Sequence, residues 1–244
     1  MNINLKKKDL LDLRKDAKEA IETKAIGKSQ VVAVFDISGS MEDFYRKGIV
    51  ADLATRVLAL GLELDDDGQV PVYTLGDSSS KLKNLTEENL ADYVKKEIMK
   101  LVGTGTNYAP VINKIINDAP KSGDPMLVLI FTDGDNWDKK EAEEAIVRAS
   151  NLPIFFQWYG IYGSRNPGFG FLEKLNDLNN RDLKIDNCGF SPLSLTSGQG
   201  EDTDAALYED MLKEYKEFPK KAAEADVKWG NQAELPRRRR FGIF

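Results

Sequence analysis

The chain has 244 residues, with 41% hydrophobic and 30% charged residues, and a net charge of −6. That composition suits a folded domain with a sizeable core and excludes disordered and fibrous classes, while the negative balance argues against nonspecific nucleic-acid binding. Histidine is absent and Cys188 is the single cysteine, which removes His-dependent nucleophile systems, His-ligated zinc and any internal disulfide.

Residues 1–28 begin with lysines in "LKKK" and are expected to form a helical lead-in. Charge breaks the apolar pattern too early for a signal-peptide core, and no run approaches the roughly 18 apolar residues of a membrane span. A cytoplasmic protein is expected. The run "VVAVFD" at 31–36 is continuously apolar and β-branched, as in a strand buried on both faces of a parallel sheet. A helix is predicted over 44–62 from the recurrence of Ile49, Val50, Leu53, Val57 and Leu58, with "DDDG" at 65–68 as the following turn. The acidic "ELDDDG" lacks the glutamate of a calcium loop six residues after its glycine, where Thr74 stands, so it reads as a solvated turn.

"QVPVYTLG" at 69–76 is a weaker strand candidate, with Pro71 best placed near its start. Helices are predicted over 87–100 and 108–118. Strands are predicted over 126–133, "MLVLIFTD", and 152–161, "LPIFFQWYGI". Further helices are expected over 138–150 and 204–217. The glycine-rich stretch 160–170 contains no GxGxxG or Gly-Lys-Ser/Thr pattern, so no phosphate-cradling loop is expected. Cys188 reads as a small core residue. The end of the chain, 219–244, reads as a basic tail with Arg237–Arg240 able to contact an acidic surface. Alternation of strand and helix predicts an α/β fold: a doubly wound, mostly parallel sheet flanked by helices on both faces, over a domain spanning 29–218.

In such a sheet ligands bind outside the carboxyl ends of the strands. Strand 31–36 ends at Asp36, and the next turn offers the hydroxyls of Ser38 and Ser40. The strand at 126 ends at Thr132 and Asp133 in "FTDGDN", and "GTGTNY" at 103–108 opens a helix with two threonines. Carboxylates and hydroxyls without histidine or nearby cysteine suit hard cations, Mg²⁺, Mn²⁺ or Ca²⁺. Each loop alone is ordinary cap and turn chemistry; the expectation rests on the three meeting at one edge. Asp43, Asp77, Asp135 and Asp138 are expected close enough to fill an open coordination position on the ion or to repel an acidic ligand.

"DISGS", a Thr-bearing glycine loop and "FTDGD" in that order resemble the von Willebrand factor type A (vWA) domain and its metal-ion-dependent adhesion site. The resemblance covers roughly residues 30–217. It implies that Ser38, Ser40 and Thr106 coordinate the ion directly or through water, with Asp36 and Asp133 as carboxylates that bind it or hold its waters. Thr106 is preferred to Thr104 because "GTN" fits the family's loop. It further implies a non-enzymatic module whose cation takes a carboxylate from a protein partner. "VVAVFDISGSM", "LELDDDGQVPVYTLGD", "TNYAPVI", "NLPIFFQWYGI" and "GFGFLEKL" are similar to the A domain of the TerF-like tellurium-resistance group. That likeness implies a tellurium-resistance or stress-response setting. In many relatives the domain follows a calcium-binding TerD domain, and a stand-alone version is expected here. The alternative is a magnesium-dependent phosphohydrolase with Asp36 as nucleophile. Such enzymes place a second Asp two residues later, where this chain has Ser38.

Overall fold

A computed structural model describes residues 2–3, 9–162, 168–178, 182–195 and 203–230. The strands are β1 (Asn2–Ile3), β2 (Gln30–Asp36), β3 (Val72–Leu75), β4 (Met126–Thr132), β5 (Ile154–Ile161) and β6 (Cys188–Leu195). They form one sheet in the order β1-β6-β5-β4-β2-β3, and every pair is parallel. The helices are α1 (Leu10–Thr23), α2 (Glu42–Arg46), α3 (Ile49–Leu64), α4 (Ala109–Asp118), α5 (Lys139–Ala149), α6 (Gly170–Asn176), α7 (Asp204–Lys213) and α8 (Phe218–Glu224).

The continuous apolar runs become central strands because both faces are covered. In β2, Val31, Ala33 and Phe35 point to a core shared with α1, α3, α7 and α8, whereas Val32 and Val34 point to a second core under α4, α5 and α6. The same alternation runs through β4 and β5, as a two-residue side-chain period requires. Phe35, Phe131 and Tyr159 stack across three neighbouring strands with ring centroids 5.7 and 5.3 Å apart. Offset ring pairs of this kind add about 0.5–1.5 kcal/mol each beyond the area they bury. The lead-in helix α1 buries Leu13, Ala17 and Ala20 in the first core.

Several expectations change. The helix expected over 44–62 is two helices, broken where Gly48 takes φ 77°, a left-handed conformation that glycine adopts without strain. The helix expected over 87–100 is a 3₁₀ turn, Leu90–Asp92, a π-turn, Val94–Ile98, and a second 3₁₀ turn, Met99–Leu101. The widened turn lets Tyr93 and Ile98, five residues apart, both reach the core. The strand β6 and the helix α6 were not expected: β6 carries Gly189 and Pro192, which weaken a strand pattern, and α6 is two turns long. The helix expected over 204–217 ends at Lys213, and a 3₁₀ turn covers Tyr215–Glu217. Residues 219–230, read as the start of a tail, hold most of α8 and bury Ala222 and Val227, whereas Arg237–Arg240 lie outside the described residues. Among the described residues no helix is long and apolar enough to cross a membrane.

Candidate metal centre

The chain leaves β2 toward β3 on one side and returns to β4 on the other, so the carboxyl ends of β2 and β4 flank the point where strand order reverses. Open α/β sheets form their ligand crevice there. Asp36 is the last residue of β2, and Asp133 is the first after β4.

Asp36 has no exposed surface. Its Oδ1 accepts the Ser38 N–H at 2.7 Å, and its Oδ2 accepts the Thr132 hydroxyl. The Tyr45 hydroxyl donates to the Asp36 carbonyl at 2.7 Å and ties α2 to the strand end. No ion pair holds Asp36 among the described residues. Burial pushes its carboxyl up to about 6, against the opposing effect of the Thr132 and Ser38 hydrogen bonds, with Asp133 adding a smaller upward push. Neutral donors alone hold a charge that the interior disfavours.

Ser40 Oγ donates to Asp133 Oδ1 at 2.8 Å and shares a hydrogen bond with Ser38 Oγ at 3.1 Å. Because the Ser40 proton goes to the carboxylate, Ser38 is the donor in that second bond. Ser38 is buried and Ser40 exposed, so the pair runs from the interior to solvent. Burial also raises the Asp133 carboxyl, and the Ser40 hydrogen bond lowers it.

The third loop is stitched to the first two. Gly39 N–H donates to the Thr104 carbonyl and Gly103 N–H to the Ile37 carbonyl, while Trp137 N–H donates to the Thr106 carbonyl at 3.1 Å. Gly103 takes φ 125° there, a conformation that residues with side chains rarely adopt, and the Asp77 carboxylate packs against Gly105, where a Cβ would stand 2.3 Å from Asp77 Oδ1. The two threonines differ. The Thr104 hydroxyl lies on the Gly105 carbonyl at 3.1 Å and the Ile37 carbonyl at 3.4 Å. Thr106 is 8% exposed, and its hydroxyl has no hydrogen-bond partner among the described residues.

Three of the four competing acids are occupied elsewhere. Asp138 accepts the Tyr108 N–H at 2.9 Å and the Ala109 N–H at 2.7 Å, which caps α4 from a different segment. Asp77 accepts the Gly105 N–H at 3.1 Å, and Asp135 pairs with Lys139 at 2.5 Å. Asp43 is exposed on α2. No three Asp, Glu or Cys side chains converge at metal-binding distance among the described residues; the donor set is two carboxylates with hydroxyls. Hard oxygen donors in that mixture fit Mg²⁺, Mn²⁺ or Ca²⁺ and not a soft metal.

Sequence reasoning missed the supports. Thr132 was visible as the strand's last residue, but its hydrogen bond to Asp36 depends on the β2–β4 pairing. Tyr45 and Tyr108, which donate to the Asp36 and Gly134 carbonyls, carried no motif signal. Asp138 looked like the start of its own helix.

Residues 28–228 match the vWA-TerF-like family, described as the vWA domain found in the TerF C terminus. An uncharacterized protein of Bacillus subtilis (strain 168), YcbR, is 31% identical over 240 residues, covering 93% of this chain and 94% of that one. Two solved structures show weaker likeness. One is an aerotolerance-related membrane protein from Bacteroides fragilis NCTC 9343: 15% identity, 76% of this chain and 99% of that one, TM-score 0.48. The other is proximal thread matrix protein 1 from the mussel byssus with a zinc-occupied MIDAS motif: 18% identity, 78% of this chain and 46% of that one, TM-score 0.47. Neither likeness is close enough to bear on what this chain binds. With the family matched across most of its length, this chain belongs to the TerF-like vWA domains.

Proposed function

We propose that the protein is a non-enzymatic binding module that holds one divalent cation, Mg²⁺ or its oxygen-loving relatives Mn²⁺ and Ca²⁺, and presents it to a carboxylate of a protein partner. Asp36, Ser38, Ser40, Thr106 and Asp133 form the site in this reading, the hydroxyls binding the ion directly or through water and the two carboxylates binding it or holding its waters. The observation that carries it is the fully buried Asp36 carboxylate, held only by neutral groups, at the end of a strand to which the loop bearing the unpartnered Thr106 hydroxyl is hydrogen-bonded. A cation would compensate the buried charge and take up the free hydroxyl. Two carboxylates give a site of low negative charge, which leaves the ion electrophilic enough to take a further anionic ligand. The family description supplies the link to TerF, and a tellurium-resistance or stress-response setting belongs to this proposal.

The phosphohydrolase alternative requires Asp36 to attack a substrate in line. A carboxylate with no exposed surface and both oxygens engaged in hydrogen bonds is poorly placed for that step. The test of the binding module is partner capture from host lysate with the folded chain in Mg²⁺, in chelator, and with Asp36→Asn. Capture by the parent in Mg²⁺ alone supports the reading; capture indifferent to chelator and substitution would reject it.

A further inference from the structure

The same edge carries features that a metal does not use. Trp137 is 85% exposed and its backbone N–H is bonded to the Thr106 loop, which puts an exposed indole at the rim of the candidate site. Tyr162 follows β5 at 51% exposure and stands edge-on to Phe169 at 5.2 Å. Asp43 follows the serine loop and Asp77 touches Gly105; both are exposed, and neither forms an ion pair among the described residues. Tryptophan is enriched, with tyrosine and arginine, at binding hot spots. Acids around the ion favour a ligand whose carboxylate is accompanied by cations, and the indole face is a good seat for guanidinium.

The segment "NQAELPRRRRF" at 231–241 has that chemistry, with Glu234 three residues before the four guanidinium groups of Arg237–Arg240. The segment leaves from the opposite side of the molecule. Trp229 Nε1 donates to the Gly123 carbonyl at 3.0 Å and the Asp124 carbonyl at 3.3 Å, immediately before β4, and so at the amino edge of the sheet. The seven residues of β4 separate the two edges by about 20 Å. Glu234 is four residues beyond Gly230, so its Cα lies at most about 14 Å from that residue; the two edges are about 20 Å apart and helices cover both faces of the sheet between them, which favours a neighbour's site over its own.

We propose that the partner is a second copy of this chain: Glu234 of one copy ligates the metal of the next, and Arg237–Arg240 lie against Asp43, Asp77 and Trp137. The inference rests on the metal-dependent reading above. Because site and segment are different surfaces, the contact is head-to-tail and propagates.

The test is sedimentation velocity of the full chain across a concentration series in Mg²⁺ and in chelator, with metal binding followed separately by calorimetry. Expected are concentration-dependent species larger than dimers in Mg²⁺ and monomer in chelator. Glu234→Gln should weaken association by about tenfold or more while binding metal as the parent does. Replacing Arg237–Arg240 by serine should weaken association and remove most of its salt dependence. Asp36→Asn has an intact segment and a dead site, and Glu234→Gln the reverse. Each alone should stay monomeric at concentrations where their mixture forms a dimer that grows no further. A chain that binds metal but remains monomeric overturns the self-association and leaves the metal-dependent reading standing. Association of undiminished strength in chelator or in Glu234→Gln overturns it as well. Absence of metal binding sinks both.

Discussion

Replacing Asp36 by asparagine is predicted to stabilise the metal-free protein while abolishing its response to metal. Asp36 is fully buried, and its folded carboxyl is raised from 3.8 to about 6 by burial. A raised carboxyl binds its proton more tightly in the folded state, so its contribution to stability is present at low pH and is lost as pH rises from about 4 through about 6. Two units of displacement correspond to about 3 kcal/mol of destabilisation at pH 7. Asparagine keeps the shape: its carbonyl can accept the Ser38 N–H, and its amide can donate to the Thr132 hydroxyl, which rotates to accept. In chelator at pH 7 the variant should therefore gain about 3 kcal/mol, or roughly 6–12 °C in Tm for a domain of this size. The gain should shrink toward zero near pH 4. Adding Mg²⁺ should raise the parent's Tm and leave the variant's unchanged. Calorimetric melts at several pH values in chelator and in Mg²⁺ read all of this. A variant no more stable than the parent at pH 7, or a difference that ignores pH, would refute the argument that Asp36 is an uncompensated buried charge.

Other outcomes follow from the same geometry. Thr106→Val should lower metal affinity by about tenfold or more with little cost in stability, since its hydroxyl has no partner to lose among the described residues. Thr104→Val should do the opposite, losing bonds to the Ile37 and Gly105 carbonyls; urea melts and metal titrations of the two variants separate them. Tyr45→Phe removes the donor to the buried Asp36 carbonyl and should cost about 1–3 kcal/mol in urea denaturation. Arg56 and Asp204 form an ion pair at 2.6 Å with side chains 1% and 5% exposed. Asp204→Ala should cost about 3–5 kcal/mol by leaving a buried guanidinium without that carboxylate, whereas Arg56→Met with Asp204→Leu should cost much less. Equal losses for the single and double variants in chemical denaturation would contradict that account.

Much of the fold is written in hydrophobic patterning. Strands β2, β4 and β5 are buried on both faces and read as unbroken apolar runs, so their positions, and with the intervening helices a parallel sheet, follow from the pattern. The misses have local causes. Strand β6 contains Gly189 and Pro192, so its membership is decided by its place beside β5 and not by propensity. The 90–101 segment has a helical composition, but the burial of both Tyr93 and Ile98 selects a π-turn instead. At the candidate site, the oxygen donors are legible because they cluster in short loops after strands. Their supports are not, because Thr132, Tyr45 and Asp138 act across distances of 96, 9 and 30 residues, and only the folded chain makes those contacts. The contrast between Thr104 and Thr106 is likewise invisible in "GTGTNY": both are glycine-flanked threonines until the backbone decides which hydroxyl meets a carbonyl.

The most direct measurement is isothermal titration of Mg²⁺ and Mn²⁺ into the metal-free parent and into Asp36→Asn, with both proteins shown to be folded by their melts. One ion per parent chain and none in the variant is the predicted result. A parent that binds no divalent cation, or a variant that binds as well as the parent, would contradict the assignment of this sheet edge as a metal centre.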